Sequence, residues 1–96
     1  MPGYVLSPEA QKSLLQISAY TLDAFGRVQQ KKYLLMLRDR MRQAADNPSL
    51  GKTRPDIKPG YRSIQAVKHQ IYYRVVDGGI EIIDVLHQSM EPRLRF

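Results

Sequence analysis

The sequence predicts a single α+β domain over residues 1–96: a short strand, a helical hairpin and then an antiparallel sheet, in the order β-α-α-β-β-β. Three observations carry this. Apolar residues recur at helical spacing through the first half, and β-branched and aromatic residues alternate through the second. Between the halves, Asp46 to Pro59 holds Pro48, Gly51, Pro55 and Pro59, which deny it regular structure. Strands are not interleaved with helices in the second half, which argues against a parallel α/β sheet.

Tyr4-Val5-Leu6 is read as a strand, with Ser7 as N-cap of the first helix and Pro8 at its first position, where a missing N–H costs nothing. Ala10, Leu14, Ile17, Thr21, Ala24 and Phe25 form the core stripe of that helix, and Gly26 ends it. A second helix from about Arg27 to Ala45 places Tyr33, Leu34, Leu37, Met41, Ala44 and Ala45 on its own stripe, and Asn47-Pro48 stops it. One glycine between two helices forces a hairpin.

Three β segments follow: Tyr61 to Ala66, His69 to Val76, and Ile80 to His87. Asp77-Gly78-Gly79 marks a tight turn, because these residues tolerate positive φ; Val67-Lys68 is a weaker turn signal. The last segment is apolar on both alternations, Ile80, Ile82 and Leu86 on one and Ile83 and Val85 on the other, so it is expected centrally, covered on both faces. The helical hairpin covers one face. A tail, residues 88–96, is expected to cover part of the other, anchored by Met90, Leu94 and Phe96.

Composition narrows the function. Fifteen Lys+Arg against nine Asp+Glu give a formal charge of +6, which steers the chain toward acidic partners or nucleic acid. The absence of cysteine removes disulfides, thiolate metal sites and thiol nucleophiles together, in keeping with a reducing compartment. No signal peptide is read at Met1 to Leu6, and Asp84 interrupts the best apolar run, far short of the ~20 residues of a membrane span. The expectation is a cytoplasmic protein without membrane attachment.

Motifs for catalysis are largely missing. Gly51-Lys52-Thr53 imitates a phosphate-binding loop, but Asp46 stands where its first glycine belongs. His69 and His87 are too few for a zinc site, so no metal and no cofactor are expected. A ribonuclease is the one enzyme class the composition permits, since attack by a 2′-hydroxyl needs only an acid, a base and cations. His87, Tyr72 or Tyr73, Arg62, Arg74, Lys52 and Arg54 are its possible parts. The plainer reading is preferred: Tyr73 alternates with Ile71 and Val75 as core, the cations are solvated, and His87 is a structural imidazole.

Four large apolar residues lie off the core stripes, Leu15 with Leu22 on the first helix and Val28 with Leu35 on the second, each pair seven apart. Two readings are open: other parts of the chain cover them, or they form a docking strip for an amphipathic partner. Around the strip stand Arg27, Lys31, Lys32, Arg38, Arg40 and Arg42, with Asp39 the one acid among them. Arg38 and Arg42, one turn apart, repel each other until an acidic partner arrives.

Five motifs occur in order along nearly the whole chain: Tyr20-Thr21 ahead of Phe25-Gly26; Asn47-Pro48-Ser49-Leu50-Gly51; Gly60-Tyr61-Arg62-Ser63; Ile71-Tyr72-Tyr73-Arg74-Val75; and Val85-Leu86-His87-Gln88-Ser89-Met90-Glu91. In these the sequence resembles the ParE branch of the RelE/ParE toxin superfamily. The resemblance implies the toxin half of a type II toxin–antitoxin module, in a hetero-oligomer with a ParD-like antitoxin that is acidic and partly disordered. It also implies no enzymatic activity and no sequence-specific nucleic-acid binding, but inhibition of DNA gyrase by trapping its cleavage complex. Gln70 stands where RelE-type nucleases carry an arginine, which favours the gyrase branch. Phe25 departs from the tryptophan common in that branch, and His87 lies near the catalytic histidine of some nucleases, so a ribosome-dependent mRNA endonuclease is the alternative. The expected target-binding residues are His87, Met90, Glu91, Arg93 and Arg95; the expected antitoxin-binding residues are Leu15, Leu22, Val28, Leu35, Lys31, Arg38 and Arg42.

Overall fold

The computed structural model describes residues 3–96; Met1 and Pro2, part of the expected domain, lie outside them. β1 (Gly3–Leu6) leads into α1 (Pro8–Phe25) and α2 (Arg27–Asp46), followed by β2 (Lys52–Thr53), β3 (Tyr61–Ala66), β4 (His69–Val76) and β5 (Gly79–His87). Short 3-10 turns occupy Pro48–Leu50 and Pro92–Leu94. The expected order of elements is present, and the strands form one five-stranded sheet in the order β1-β5-β4-β3-β2. All neighbours are antiparallel except β1 and β5, which run parallel. β5 is therefore an inner strand, as its apolar character on both alternations requires.

Ser7 starts α1 as expected: its Oγ accepts from the Ala10 amide at 3.0 Å, a cap worth ~1 kcal/mol. The same hydroxyl donates to the Ile83 carbonyl at 2.6 Å, so the cap also ties α1 to β5. Gly26, at φ +87°, makes the joint between the helices. Gln30 then clamps the hairpin by donating to the Ser18 carbonyl at 3.0 Å and to its hydroxyl at 2.8 Å. Ala10 and Ile17 of α1 and Leu37, Met41, Ala44 and Ala45 of α2 close a core over Ile64, Ile71, Tyr73, Ile80, Ile82 and Val85.

Four sequence expectations need correction. Ala24 and Phe25 are exposed rather than core; Phe25 leans edge-on against Tyr20, ring centroids 6.5 Å apart. Val75 is exposed because β3 begins pairing at Tyr61 opposite Arg74, leaving nothing from β3 beside it. The stretch from Asp46 to Pro59 is not wholly irregular, since β2 adds an edge strand to β3. Finally, Leu94 is not an anchor of the tail but is 85% exposed; Phe96 is the anchor, edge-on to Tyr61 and Tyr72 at 5.7 and 5.2 Å.

A β-bulge changes the alternation of β5. Tyr73 lies opposite Ile82 and Tyr72 opposite Asp84, which leaves Ile83 without a partner. Val85 thereby joins Ile80 and Ile82 in the helix-covered core, where strict alternation would have turned it to the other face. β1 ends opposite Ile82, so α1 reaches the bare edge of β5 beyond that point. There Ser13 donates to the buried carboxylate of Asp84 at 2.5 Å.

Candidate functional site

The motif after α2 is a structural clamp. Tyr73 donates its hydroxyl to the Pro48 carbonyl at 2.6 Å and accepts from the Gly51 amide at 2.8 Å, while Arg62 donates to the Gly51 carbonyl at 2.7 Å. A Cβ on Gly51 would overlap the Tyr73 ring, so only glycine fits there. Burial pushes the Tyr73 hydroxyl above its ordinary pKa, which suits a hydrogen-bonded phenol. Two of the possible nuclease parts are thus spent on holding this loop to the sheet.

The remaining parts do not gather around His87: Lys52, Arg54 and Tyr72 meet at Ser63 instead. Arg74 pairs with Glu81 at 2.7 Å, and Arg54 pairs with Asp56 at 3.1 Å while lying over the Tyr72 ring at 5.6 Å. His87 lies opposite His69, at the other end of β4 from Arg74. Five residues at ~3.4 Å each separate His69 from Arg74, about 17 Å along the strand. A single phosphodiester cannot touch His87 and Arg74 together. Among the described residues, no group of three or more His, Cys, Asp or Glu side chains converges to hold a metal ion.

What the fold does assemble is a groove. Two open hollows, of about 290 and 350 Å³, share Tyr20, His69 and His87 as walls. At one end the walls include Phe25 and Tyr33, and at the other Met90 and Arg95. Tyr33 Oη meets His69 Nδ1 at 2.6 Å, and the His69 and His87 rings stand edge-on with centroids 5.4 Å apart. Burial raises the Tyr33 pKa, and the Lys68 amide donates to its oxygen at 3.4 Å. Burial, and less so the neighbouring His87, hold the His69 imidazole below its ordinary pKa, which favours its neutral form. The Ser89 amide donates to His87 Nδ1 at 3.1 Å.

Of the residues expected to face a target, His87, Met90 and Arg95 line this groove, but Glu91 and Arg93 do not. Those two pair with each other at 3.0 Å on the exposed tail, and the pairing lowers the Glu91 pKa and raises that of Arg93. Glu91 also caps the 3-10 turn by accepting from the Arg93 amide at 3.2 Å. Arg95 is held differently, with its guanidinium turned back to Asp84 at 3.5 Å.

The helical strip is a separate surface. Leu15 and Val28 are 72% and 71% exposed, and Leu22 and Leu35 are exposed as well, so the free chain does not bury any of the four. Leu15 also borders an open apolar hollow of about 400 Å³ with Leu6, Leu14 and Leu34. No ion pair among the described residues reaches Lys31, Arg38 or Arg42. Arg40 alone of that cluster turns inward, donating to the Gln65 carbonyl at 3.0 Å. Sequence reasoning missed Tyr20, Tyr33 and His69 as groove residues. Tyr20-Thr21 and Phe25-Gly26 as motifs signalled one wall; the others needed the β4–β5 register.

Residues 4–92 match the family model described as "ParE toxin of type II toxin-antitoxin system, parDE". The chain belongs to the ParE toxin family of type II toxin–antitoxin systems. It is 42% identical over 89 residues to Toxin ParE1 of Mycobacterium tuberculosis, covering 92% of this chain and 91% of that one. Toxin ParE1 of Caulobacter vibrioides is 34% identical over 93 residues, covering 97% and 96%. Among solved structures, a chain of the chromosomal ParDE TA system from P. aeruginosa superposes with a TM-score of 0.77 at 18% identity, over 91% of this chain and 96% of that one. At that identity the match speaks to the fold, and the fold of this ParE-family toxin is the expected one. Among the described residues no helix is long and apolar enough to cross a membrane.

Proposed function

We propose that this ParE-family toxin acts in the cytoplasm as a non-enzymatic poison of DNA gyrase, binding the enzyme and trapping its cleavage complex, and that a ParD-like antitoxin neutralises it. The observation that carries this reading is the commitment of Tyr73 and Arg62 to the Pro48–Gly51 loop, which withdraws two of the groups an RNA-cleaving site would draw on. A protein that works by occupying a target needs only shape and charge, and the groove and the tail supply both. The target surface is assigned to His87, Met90, Glu91, Arg93 and Arg95.

The antitoxin surface is assigned to the exposed strip of Leu15, Leu22, Val28 and Leu35, with Lys31, Arg38 and Arg42 beside it. Unpaired cations next to exposed leucines fit an acidic, amphipathic segment that folds on binding. The solved neighbour belongs to a ParDE system in P. aeruginosa, which supports an antitoxin partner for the present chain.

One observation favours the alternative, an mRNA endonuclease: the edge-on pair of His69 and His87 beside the Tyr33 hydroxyl places proton-transfer groups in an open groove. Purified toxin is therefore tested in a gyrase supercoiling assay and, separately, on translating ribosomes. Inhibited supercoiling with accumulated cleaved DNA is expected, with transcripts intact. Cleaved transcripts and unimpaired supercoiling would overturn the proposal in favour of the nuclease.

A further inference from the structure

The C-terminal tail is held to the sheet at three points. The first is the turn after β5, where Ser89 binds His87 Nδ1 through both its amide, at 3.1 Å, and its hydroxyl, at 2.8 Å. The second is Arg95, whose guanidinium lies 3.5 Å from the carboxylate of Asp84. The third is Phe96, seated edge-on between Tyr61 and Tyr72.

Asp84 is the unusual partner. It is 3% exposed on an inner strand, a position where a carboxylate is costly unless it is bonded and charge-matched. Ser13 of α1 and the Val85 amide bond one of its oxygens, at 2.5 and 2.8 Å. Arg95 faces the other. The cation closest to this buried acid therefore comes from the penultimate residue of the tail.

Between the second and third anchors and the first lies a hydrogen-bonded 3-10 turn, Pro92–Leu94. Pro92 opens it, the Glu91 carboxylate caps it, and the amides of Leu94, Arg95 and Phe96 close it onto Glu91 and Pro92 at 3.1, 2.9 and 3.1 Å. At its outer side Leu94 is 85% exposed, more than any other large apolar residue described. Neighbouring residues Arg95 and Phe96 turn in, and Leu94 stays out. A leucine fixed in water by a turn with three anchors gains nothing for the isolated fold, whereas it gives a partner a preorganised apolar contact.

We propose that Leu94 is the apolar anchor with which the tail engages its target, and that Ser13, Asp84 and Arg95 are positioning residues that hold the tail in the binding conformation. The inference rests on the reading of the protein as a gyrase poison. It moves Arg95 from a contact with the target to a contact with Asp84. Beside Leu94 the target meets the exposed Glu91–Arg93 ion pair.

The test uses the full chain with Leu94→Asp, Leu94→Met, Arg95→Gln and Arg95→Lys, followed by amide hydrogen exchange of residues 89–96, antitoxin affinity and gyrase inhibition. Leu94→Asp is expected to weaken inhibition at least tenfold with tail exchange and antitoxin affinity unchanged, and Leu94→Met to retain it. Arg95→Gln is expected to speed exchange across the tail about tenfold and to weaken inhibition in step, with Arg95→Lys restoring both in part. Full inhibition by Leu94→Asp overturns the anchor, and unchanged exchange in Arg95→Gln overturns the positioning role. Wild-type toxin that leaves gyrase unaffected removes the target itself, a result distinct from either.

Discussion

His69 stands directly opposite His87 across β4 and β5, with ring centroids 5.4 Å apart, because Ile83 is bulged out of the ladder between them and the turn. The pair makes the groove sensitive to acid. His69 is half-buried, and burial, with the neighbouring His87 second, keeps its folded pKa below the ordinary 6.5; Tyr33 faces it from the other side, bonded to Nδ1. A base whose folded pKa is depressed contributes stability above its unfolded pKa, and that stability is lost as pH falls below about 6.5 toward the folded value. The thermal midpoint should drop between pH 7 and pH 5, and His69→Gln should show a smaller drop. Identical pH profiles for the two proteins would contradict the assignment.

Val67 offers a gain in stability. It has φ +54°, the left-handed region that a β-branched residue rarely adopts, and it turns β3 into β4 with its side chain exposed. Asparagine tolerates that conformation, so Val67→Asn should stabilise the fold by about 1 kcal/mol in urea unfolding. Val67 also walls the groove beside Phe25, so the same change should weaken whatever binds there. A variant no more stable than the parent would show that the turn is not strained.

The clamp at Tyr73 predicts the opposite sign. Removing the hydroxyl leaves the Gly51 amide and the Pro48 carbonyl without their partner in a buried setting, so Tyr73→Phe should cost about 1–3 kcal/mol. Denaturant midpoints measure this. A loss near zero would mean that water replaces the hydroxyl and the loop is not tied through it.

Much of this molecule was legible in its residues, and the parts that were not share one cause. Ser7-Pro8, Gly26 and Asp77-Gly78 are local signals, each setting a cap or a turn through its own backbone chemistry, and each element begins or ends at them. The bulge at Ile83 has no such signal. Counting back from the two-residue turn pairs His69 with Leu86, whereas the extra residue pairs it with His87 and moves Val85 to the core face. Asp84 read only as a break in an apolar run, because its partners Ser13 and Arg95 are 71 and 11 residues away. Leu94 and Phe96 both read as anchors, and only the turn between them decides which one points inward.

The helical strip yields the last prediction. Leu15→Asp removes an exposed apolar side chain, so it should leave the thermal midpoint within about 0.5 kcal/mol of the parent in stability terms. Placed in a partner's apolar face, the new carboxylate loses its solvent and meets an acidic segment, which should cost at least tenfold in antitoxin affinity. Charge acts on a different step. Replacing Lys31, Arg38 and Arg42 with glutamine removes three exposed cations that pair with nothing among the described residues, so association should slow and its salt dependence flatten while dissociation changes less. Surface-bound antitoxin at two ionic strengths separates the steps: the leucine variant should raise the off-rate and the glutamine variant should lower the on-rate. Should both variants bind like the parent, the antitoxin docks on another face, and the groove between Tyr20 and His87 becomes the next surface to test.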